Sequence, residues 1–471
     1  MTITKVIKDL IETNTYNQIV SNIGNTQPVT IGSVVFANVT FANTSNTSIP
    51  TTGGYLKVFG TNFQANSNVT FDNTISSNVT FISSNEIRVT TPSLKTGTYS
   101  LFLYNPDGSN AIKYKFITVQ GDNNFGYTLG GVSTSPTVLS SVERVNFSND
   151  TNNTDTRGNL DVGAALNSST RNNQHGYLFS GYYGNSGNPT PTADGSVKRI
   201  TFNNDTSVGL ARSSSISGAT GSNVQNPTYS WHAGATPFGG GAAGVSSIYR
   251  FLFSSDTSAA TLRTNMSIGR TSLSSVSDNS NYGWFAGGSI AISFTNTSSP
   301  PTTYTNTLYS VIDRLDFNSD TNVAIVRGSL STNRASFSST YNSNYGWFAA
   351  GLLTYGYAGT PTFHNFTSSS SIQRLNFSND VSTTLTRGNS FNNSHYSSFG
   401  DENYGWYAGG FNLTPGQISN SSQFLLSSSF DSSTTTTIVR LIYATDTTAA
   451  ASRSSLSVIR RGQSGISGLV T

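Results

Sequence analysis

The sequence predicts an all-β protein, and three observations carry that expectation. Of its 471 residues only 10% are charged, while 28 Phe, 22 Tyr and 44 Gly stand among Asn, Ser and Thr in nearly every segment, a composition of strands and turns rather than of a disordered chain. Short stretches alternating apolar and polar residues, broken by Gly, Asn and Pro, fill residues 28 to 120. From residue 121 onward an aromatic octet recurs, spelled NYGWFAGG at 281–288, NYGWFAAG at 344–351 and NYGWYAGG at 403–410.

The first element, residues 1–27, is the exception to the β pattern. Ile3, Val6, Ile7, Leu10 and Ile11, then Tyr16, Ile19, Val20 and Ile23, follow at spacings of three and four, which predicts a short amphipathic helix. Its stripe can pack on its own domain or bury against a partner. An anchoring arm docked on another protein of the same assembly is the expectation.

Residues 28–120 follow. The segments GGYLKVFGTNF (53–63), NVTFDN (68–73), NEIRVTTPS (85–93) and GTYSLFLYNPDGSNAIKYKFITV (97–119) read as strands, the last as a hairpin turning at Asn105-Pro106-Asp107-Gly108. Through its "GTNF" corner, "I-x-V-x-x-P" strand and "G-x-Y-x-L" strand this stretch resembles the IPT/TIG domain, an immunoglobulin-like sandwich. The resemblance implies a spacer or interaction module rather than chemistry. Asn62 and Phe63 occupy the corner, where a turn-capping amide and a core plug are expected.

Residues 121–471 carry six copies of one unit. The octets align as FGYTLGG (125), HGYLFSG (175), YSWHAG (229), YGWFAGG (282), YGWFAAG (345) and YGWYAGG (404), each followed by a second strand of the form I-x-R-L-x-F-x-x-D. In every copy an arginine stands six residues before the aspartate and another seven after it. This gives the lattice Arg144-Asp150-Arg157, Arg199-Asp205-Arg212, Arg250-Asp256-Arg263, Arg314-Asp320-Arg327, Arg374-Asp380-Arg387 and Arg440-Asp446-Arg453. Sixfold recurrence favours a structural over a catalytic role. The carboxylate is expected to accept turn N–H groups and an Arg fork together, fastening neighbouring units. Repeats of this size with several strands each do not close a core alone, and stacking them radially is the propeller solution.

The unit resembles the kelch motif, with an "R-x-x-x-S" inner strand, the octet as second strand, the Arg/Asp stretch as third and the run to the second Arg as fourth. The resemblance implies a six-bladed propeller, with the octet's glycine pair where blades crowd together. No inner strand precedes Phe125, whereas SVIRRGQSGISGLVT is a surplus at the C-terminus. That tail is expected to complete the first blade and close the ring.

Composition also excludes. A net charge of +3 gives no field for nucleic acid, and zero cysteines remove disulfides, thiolate nucleophiles and the usual structural zinc sites. No cofactor and no metal are expected. No apolar run reaches the roughly 18 residues of a membrane span, so no membrane insertion is expected, and the N-terminus lacks a secretory signal's apolar core. His175, His232, His364 and His395 are scattered, the first two within octets as wedge residues. Asp401 and Glu402 are adjacent acids, which on an extended strand face opposite sides. No catalytic residue is assigned, and no enzymatic activity is expected.

The stretch between octet and third strand grows from 132–143 in the first unit to 411–439 in the last, and all six such loops emerge on one face. They carry Tyr182, Tyr183, Phe294, Tyr304, Tyr309, Tyr355, Tyr357, Phe363 and Phe366. Tyr304, Tyr309, Tyr355, Tyr357, Phe363 and Phe366 are the ligand-contact candidates, suited to stacking on sugars. An arm, a sandwich and a decorated ring resemble a tailed-bacteriophage virion protein, a tail fibre, knob or decoration. The expectation is attachment to a host-surface glycan or protein from a particle made in the host cytoplasm. The alternatives are a bacterial surface or exported adhesin and a glycan-cleaving enzyme.

Overall fold

The computed structural model describes residues 48–50 and 55–468, apart from 77, 93, 95–96, 121–123, 134–136, 185–191, 215–217, 236–243, 291–302, 306, 359–362, 392, 395 and 413–431. The predicted helix of residues 1–27, with Ile3, Val6, Ile7, Leu10, Ile11, Ile19, Val20 and Ile23, lies outside them. The described residues are strands, turns and short 3-10 segments. The chain divides into two compact units, with the boundary near residue 118.

In the smaller unit, Tyr55–Phe59 pairs with Glu86–Thr90, which pairs with Asn78–Ser83. A second sheet places Asn68–Phe71 between Thr74–Ile75 and Gly97–Tyr104, with Asn110–Gln120 beyond. The period-2 pattern sends Leu56, Val58, Val69, Phe71, Ile87, Val89, Leu101 and Leu103 inward, and Phe63 completes this core. At the corner, Asn62 adopts the left-handed backbone (φ 62°), a conformation Asn tolerates. The corner is also tied by Asn105, whose Nδ2 donates to the Asn62 carbonyl at 2.8 Å, while Ser67 Oγ donates to Asn105 Oδ1 at 2.6 Å.

The larger unit contains six antiparallel sheets with one strand plan. The second, third and fourth strands of sheet 1 are Phe125–Leu129, Ser141–Asn146 and Asp155–Asn159, and its innermost strand is Ser464–Gly468 from the C-terminal end of the described chain, pairing Gly468 with Phe125. Sheet 2 runs Ser168–Arg171, His175–Gly184, Thr192–Thr201, Leu210–Ser214, and sheet 3 Ser222–Gln225, Tyr229–Ala233, Ser247–Leu252, Thr261–Asn265. Sheet 4 runs Ser274–Ser277, Tyr282–Ala286, Val311–Asp316, Ile325–Ser329, and sheet 5 Ser338–Tyr341, Tyr345–Ala349, Ser371–Asn376, Leu385–Asn389. Sheet 6 is Ser397–Gly400, Tyr404–Ala408, Thr437–Ile442 and Ala451–Ser455. Each innermost strand packs beside that of the next sheet, and the sixth packs beside Ser464–Gly468 of the first.

The apolar clusters lie between sheets, not within them. Trp284 and Ile312 of sheet 4 share a cluster with Phe348 and Leu375 of sheet 5, and Trp406 and Ile438 of sheet 6 share one with Val145 of sheet 1. The octet tryptophan is the wedge: Trp284 stacks on Phe377 of the following sheet at 4.4 Å, and Trp406 on Phe147 at 4.0 Å. The octet's first glycine admits the preceding sheet, since a Cβ on Gly283 would collide with the Val224 side chain. The closing pair turns through positive φ, as in Gly287 (59°) and Gly288 (96°), and Ala350 (54°) keeps that backbone where the sequence writes Ala-Gly.

Candidate functional site

The lattice aspartates stand at the ends of the 3-10 turns after each third strand, and each is nearly buried. Their arginines come from the preceding sheet rather than from their own repeat. Asp320 Oδ2 accepts from Trp231 Nε1 at 2.8 Å and Arg250 Nη1 at 3.1 Å, while its Oδ1 accepts from Arg263 Nη2 at 2.7 Å. The same three-donor node repeats with Arg314, Arg327 and Trp284 on Asp380, and with Arg374, Arg387 and Trp347 on Asp446. Arg440, Arg453 and Trp406 hold Asp150, Arg144, Arg157 and Tyr127 hold Asp205, and Arg199, Arg212 and Tyr177 hold Asp256. The first arginine also lies over an octet ring, as Arg314 does over Tyr282 at 4.2 Å.

Where turn N–H groups meet side chains, the acceptor is the residue four before the aspartate: Asn146, Asp316 and Asn376 accept from Ser148, Asn318 and Ser378. The expected backbone bonds thus belong to a different side chain, leaving the lattice carboxylate for the two arginines and the octet Trp or Tyr. Burial raises the pKa of Asp320 and Asp256, but hydrogen bonds from Arg263 and Trp231, and from Arg212 and Arg199, outweigh it and the net shift is downward.

A further set of arginines sits at the start of the inner strands, entirely buried. Arg270 pairs with Asp313 and donates to the Gly287 and Val311 carbonyls at 2.8 Å, and Arg460 pairs with Glu143. At the position of Asp313 and Glu143 the fifth sheet carries Gln373, which donates to Thr332 Oγ1 as Arg334 does, while Arg334 also donates to the Ala350 and Ser371 carbonyls. Burial pulls its pKa down to about 10. The "R-x-x-x-S" spelling was the available signal for these side chains, but nothing local distinguishes a buried arginine from a solvated one.

The inner strands line an open cavity of about 230 Å³, mostly with small polar residues and with Arg171, Tyr341, Asp401 and Glu402 among them. Most lining hydroxyls are engaged in joining strands. Ser275 Oγ donates to the Asn223 carbonyl, Ser339 Oγ to Ser275, Ser398 Oγ to Ser339 and Ser169 Oγ to Gly465, at 2.6 to 2.8 Å. Near the strand starts a backbone series runs the same way: Leu166 N donates to Gly462 O, Thr220 N to Leu166 O, Ser272 N to Thr220 O and Ser336 N to Ser272 O. His232 is buried beside this cavity with Nδ1 at 2.9 Å from Ser168 Oγ, its ring stacked on Phe179, and burial lowers its pKa to about 3. Asp401 and Glu402 stand in a turn, not on a strand. Asp401 accepts the N–H groups of Asn403 and Tyr404, and Glu402 accepts from Ser343, so the turn rather than strand alternation separates their roles.

The aromatic candidates map onto strands added by the loops between second and third strands. Thr303–Thr305 pairs with Leu352–Ala358, which pairs with Phe363–Ser368, so insertions from sheets 4 and 5 share one small sheet. In its register Tyr304 stands opposite Tyr357, Tyr355 opposite Phe366, and Phe363 opposite Ala358. Tyr309 lies apart, half-buried, its backbone bonded to Gly288 and Arg334. Tyr182 and Tyr183 pair with Ala165 and Ala164 on an extension of sheet 2, and Phe294 lies outside the described residues.

No curated protein matches the sequence. Residues 39–116 match the family model of the IPT/TIG domain, so the sandwich at the start of the described chain is a domain of that kind.

Proposed function

We propose that residues 121–471 form a six-bladed, kelch-like β-propeller serving non-enzymatic attachment, as the tail fibre, knob or decoration of a tailed-phage virion anchored through residues 1–27. The ring reading is supported by the strand plan common to six sheets, by the return of Ser464–Gly468 to Phe125–Leu129, and by the Arg-Asp nodes that pass from the sixth sheet to the first. Such a ring is stiff and shows no free edge at its seam.

The attachment reading is carried by one observation: two neighbouring repeats extend their loops into a joint sheet whose register sets Tyr304 opposite Tyr357 and Tyr355 opposite Phe366, with Phe363 one position out of step. Aromatic side chains on a pre-organised support bind sugar rings and peptide ridges at little entropic cost. The test replaces residues 353–367 with a short glycine linker and measures binding to an array of bacterial surface polysaccharides and to cells of a bacterial panel. Loss of the binding shown by the unaltered chain, with the melting temperature moved by only a few degrees, is expected. Undiminished binding overturns the assignment of the surface.

A further inference from the structure

Arg171 stands apart from the other arginines of the larger unit. Among the described residues, the guanidinium groups of the lattice, of Arg270, Arg334 and Arg460, and of Arg461 all donate to a carboxylate, carbonyl or hydroxyl. Its backbone pairs with Gly176 and its N–H donates to Gln225 Oε1 at 3.0 Å, but among the described residues its guanidinium meets no hydrogen-bond acceptor. Its side chain lines the cavity between the inner strands and feels Tyr341 and Glu402 through their charge alone. It ends the strand Ser168–Arg171, so it lies at the opposite end of its sheet from the loops joining second and third strands.

We propose that this cavity binds a small carboxylated sugar, with Arg171 as the partner of the carboxylate. At about 230 Å³ it falls below the roughly 300 Å³ where pockets for drug-sized ligands begin, a size that suits a single sugar ring. Ser169 and Ser398 spend their protons on neighbouring carbonyls and so present oxygen lone pairs, which suit the hydroxyl donors of a sugar, while Ser275 and Ser339 do the same but already accept from Ser222 and Ser274. Tyr341, its hydroxyl at 3.3 Å from Asn279 Oδ1, offers a ring beside the cation. A guanidinium is the side chain best matched to a carboxylate, through two parallel N–H bonds. Burial lowers the Arg171 pKa against the opposing fields of Tyr341 and Glu402, and an arriving anion offsets that desolvation. The site does not depend on the loop sheet assigned to attachment.

The test is calorimetric titration of the full chain with sodium glucuronate, with glucose and inorganic phosphate as separate arms. Glucuronate is expected to bind, glucose to bind at least roughly tenfold more weakly, and Arg171→Gln to lower glucuronate affinity roughly tenfold or more. Glu402→Gln, which removes a competing negative charge from the lining of the cavity, is expected to strengthen binding severalfold, and it keeps the proposal testable should Arg171→Gln fail to fold. No heat with glucuronate, equal affinity for glucose, binding of phosphate alone, or an Arg171→Gln protein that folds and binds as the unaltered chain does would each overturn the proposal. Deleting 353–367 is expected to leave glucuronate binding intact, which separates this site's failure from failure of the attachment surface.

Discussion

Asp320→Ala is the perturbation that best tests how the sheets are fastened. The substitution removes an acceptor holding Arg250, Arg263 and Trp231 at 2.7 to 3.1 Å. Breaking a buried ion pair costs about 3–5 kcal/mol. Both guanidinium groups keep 27% of their side-chain surface in water and rehydrate in part, which places the loss near the lower end, about 3 kcal/mol. With unfolding entropy of about 2.1 cal/mol/K per residue over residues 119–471, that loss lowers Tm by about 4 °C. The decisive measurement is a pair of double-mutant cycles from denaturant unfolding. Asp320 and Arg263 are expected to couple by about 1–2 kcal/mol. Asp320 and Arg327 lie in one repeat, but Arg327 serves Asp380, so their coupling is expected below about 0.5 kcal/mol. A larger coupling to Arg327 than to Arg263 would refute the proposed passage of each carboxylate to the preceding sheet.

Four further outcomes are expected. His232 is held neutral, with a folded pKa of about 3 below the ordinary 6.5, so its contribution is intact above pH 6.5 and falls by about 1.4 kcal/mol per pH unit below it. Denaturant unfolding of His232→Gln should show a shallower loss between pH 6.5 and 4.5, and an unchanged slope would disprove the assignment. Asp256 and Asp320, with lowered pKa values, add stability above their unfolded pKa of about 3.9 that is lost on acidification below it, so the Asp256→Asn/Asp320→Asn variant should flatten the curve below pH 4. Truncation after Gln463 removes the partner of Phe125–Leu129 and should abolish the cooperative transition or cause aggregation, read by calorimetry and light scattering. Gly283→Ala drives a methyl into Val224 and is expected to cost about 1–3 kcal/mol in denaturant unfolding; a neutral result would mean that sheets 3 and 4 are looser than described.

Much of this protein is written locally. The alternation in 28–120 is enough for a sandwich because strand period and turn chemistry act over a few residues, and the octet with its Arg-Asp-Arg register declares a repeated unit for the same reason. The surplus at SVIRRGQSGISG has no local partner, and that imbalance alone pointed it back to Phe125. Contacts between sheets had to wait for the folded chain. Arg263 and Asp320 are 57 residues apart, closer in sequence arginines exist on both sides of Asp320, and only the packing of one sheet on the next selects the donor. The buried Arg270, Arg334 and Arg460, the serine-to-carbonyl series, and the isolation of Arg171 were likewise silent, because a side chain's solvation and its hydrogen-bond partners are properties of neighbours brought together from other repeats. The loop aromatics lie between these cases: their abundance was legible, while the pairing of strands from two repeats into one sheet depended on both loops meeting in space.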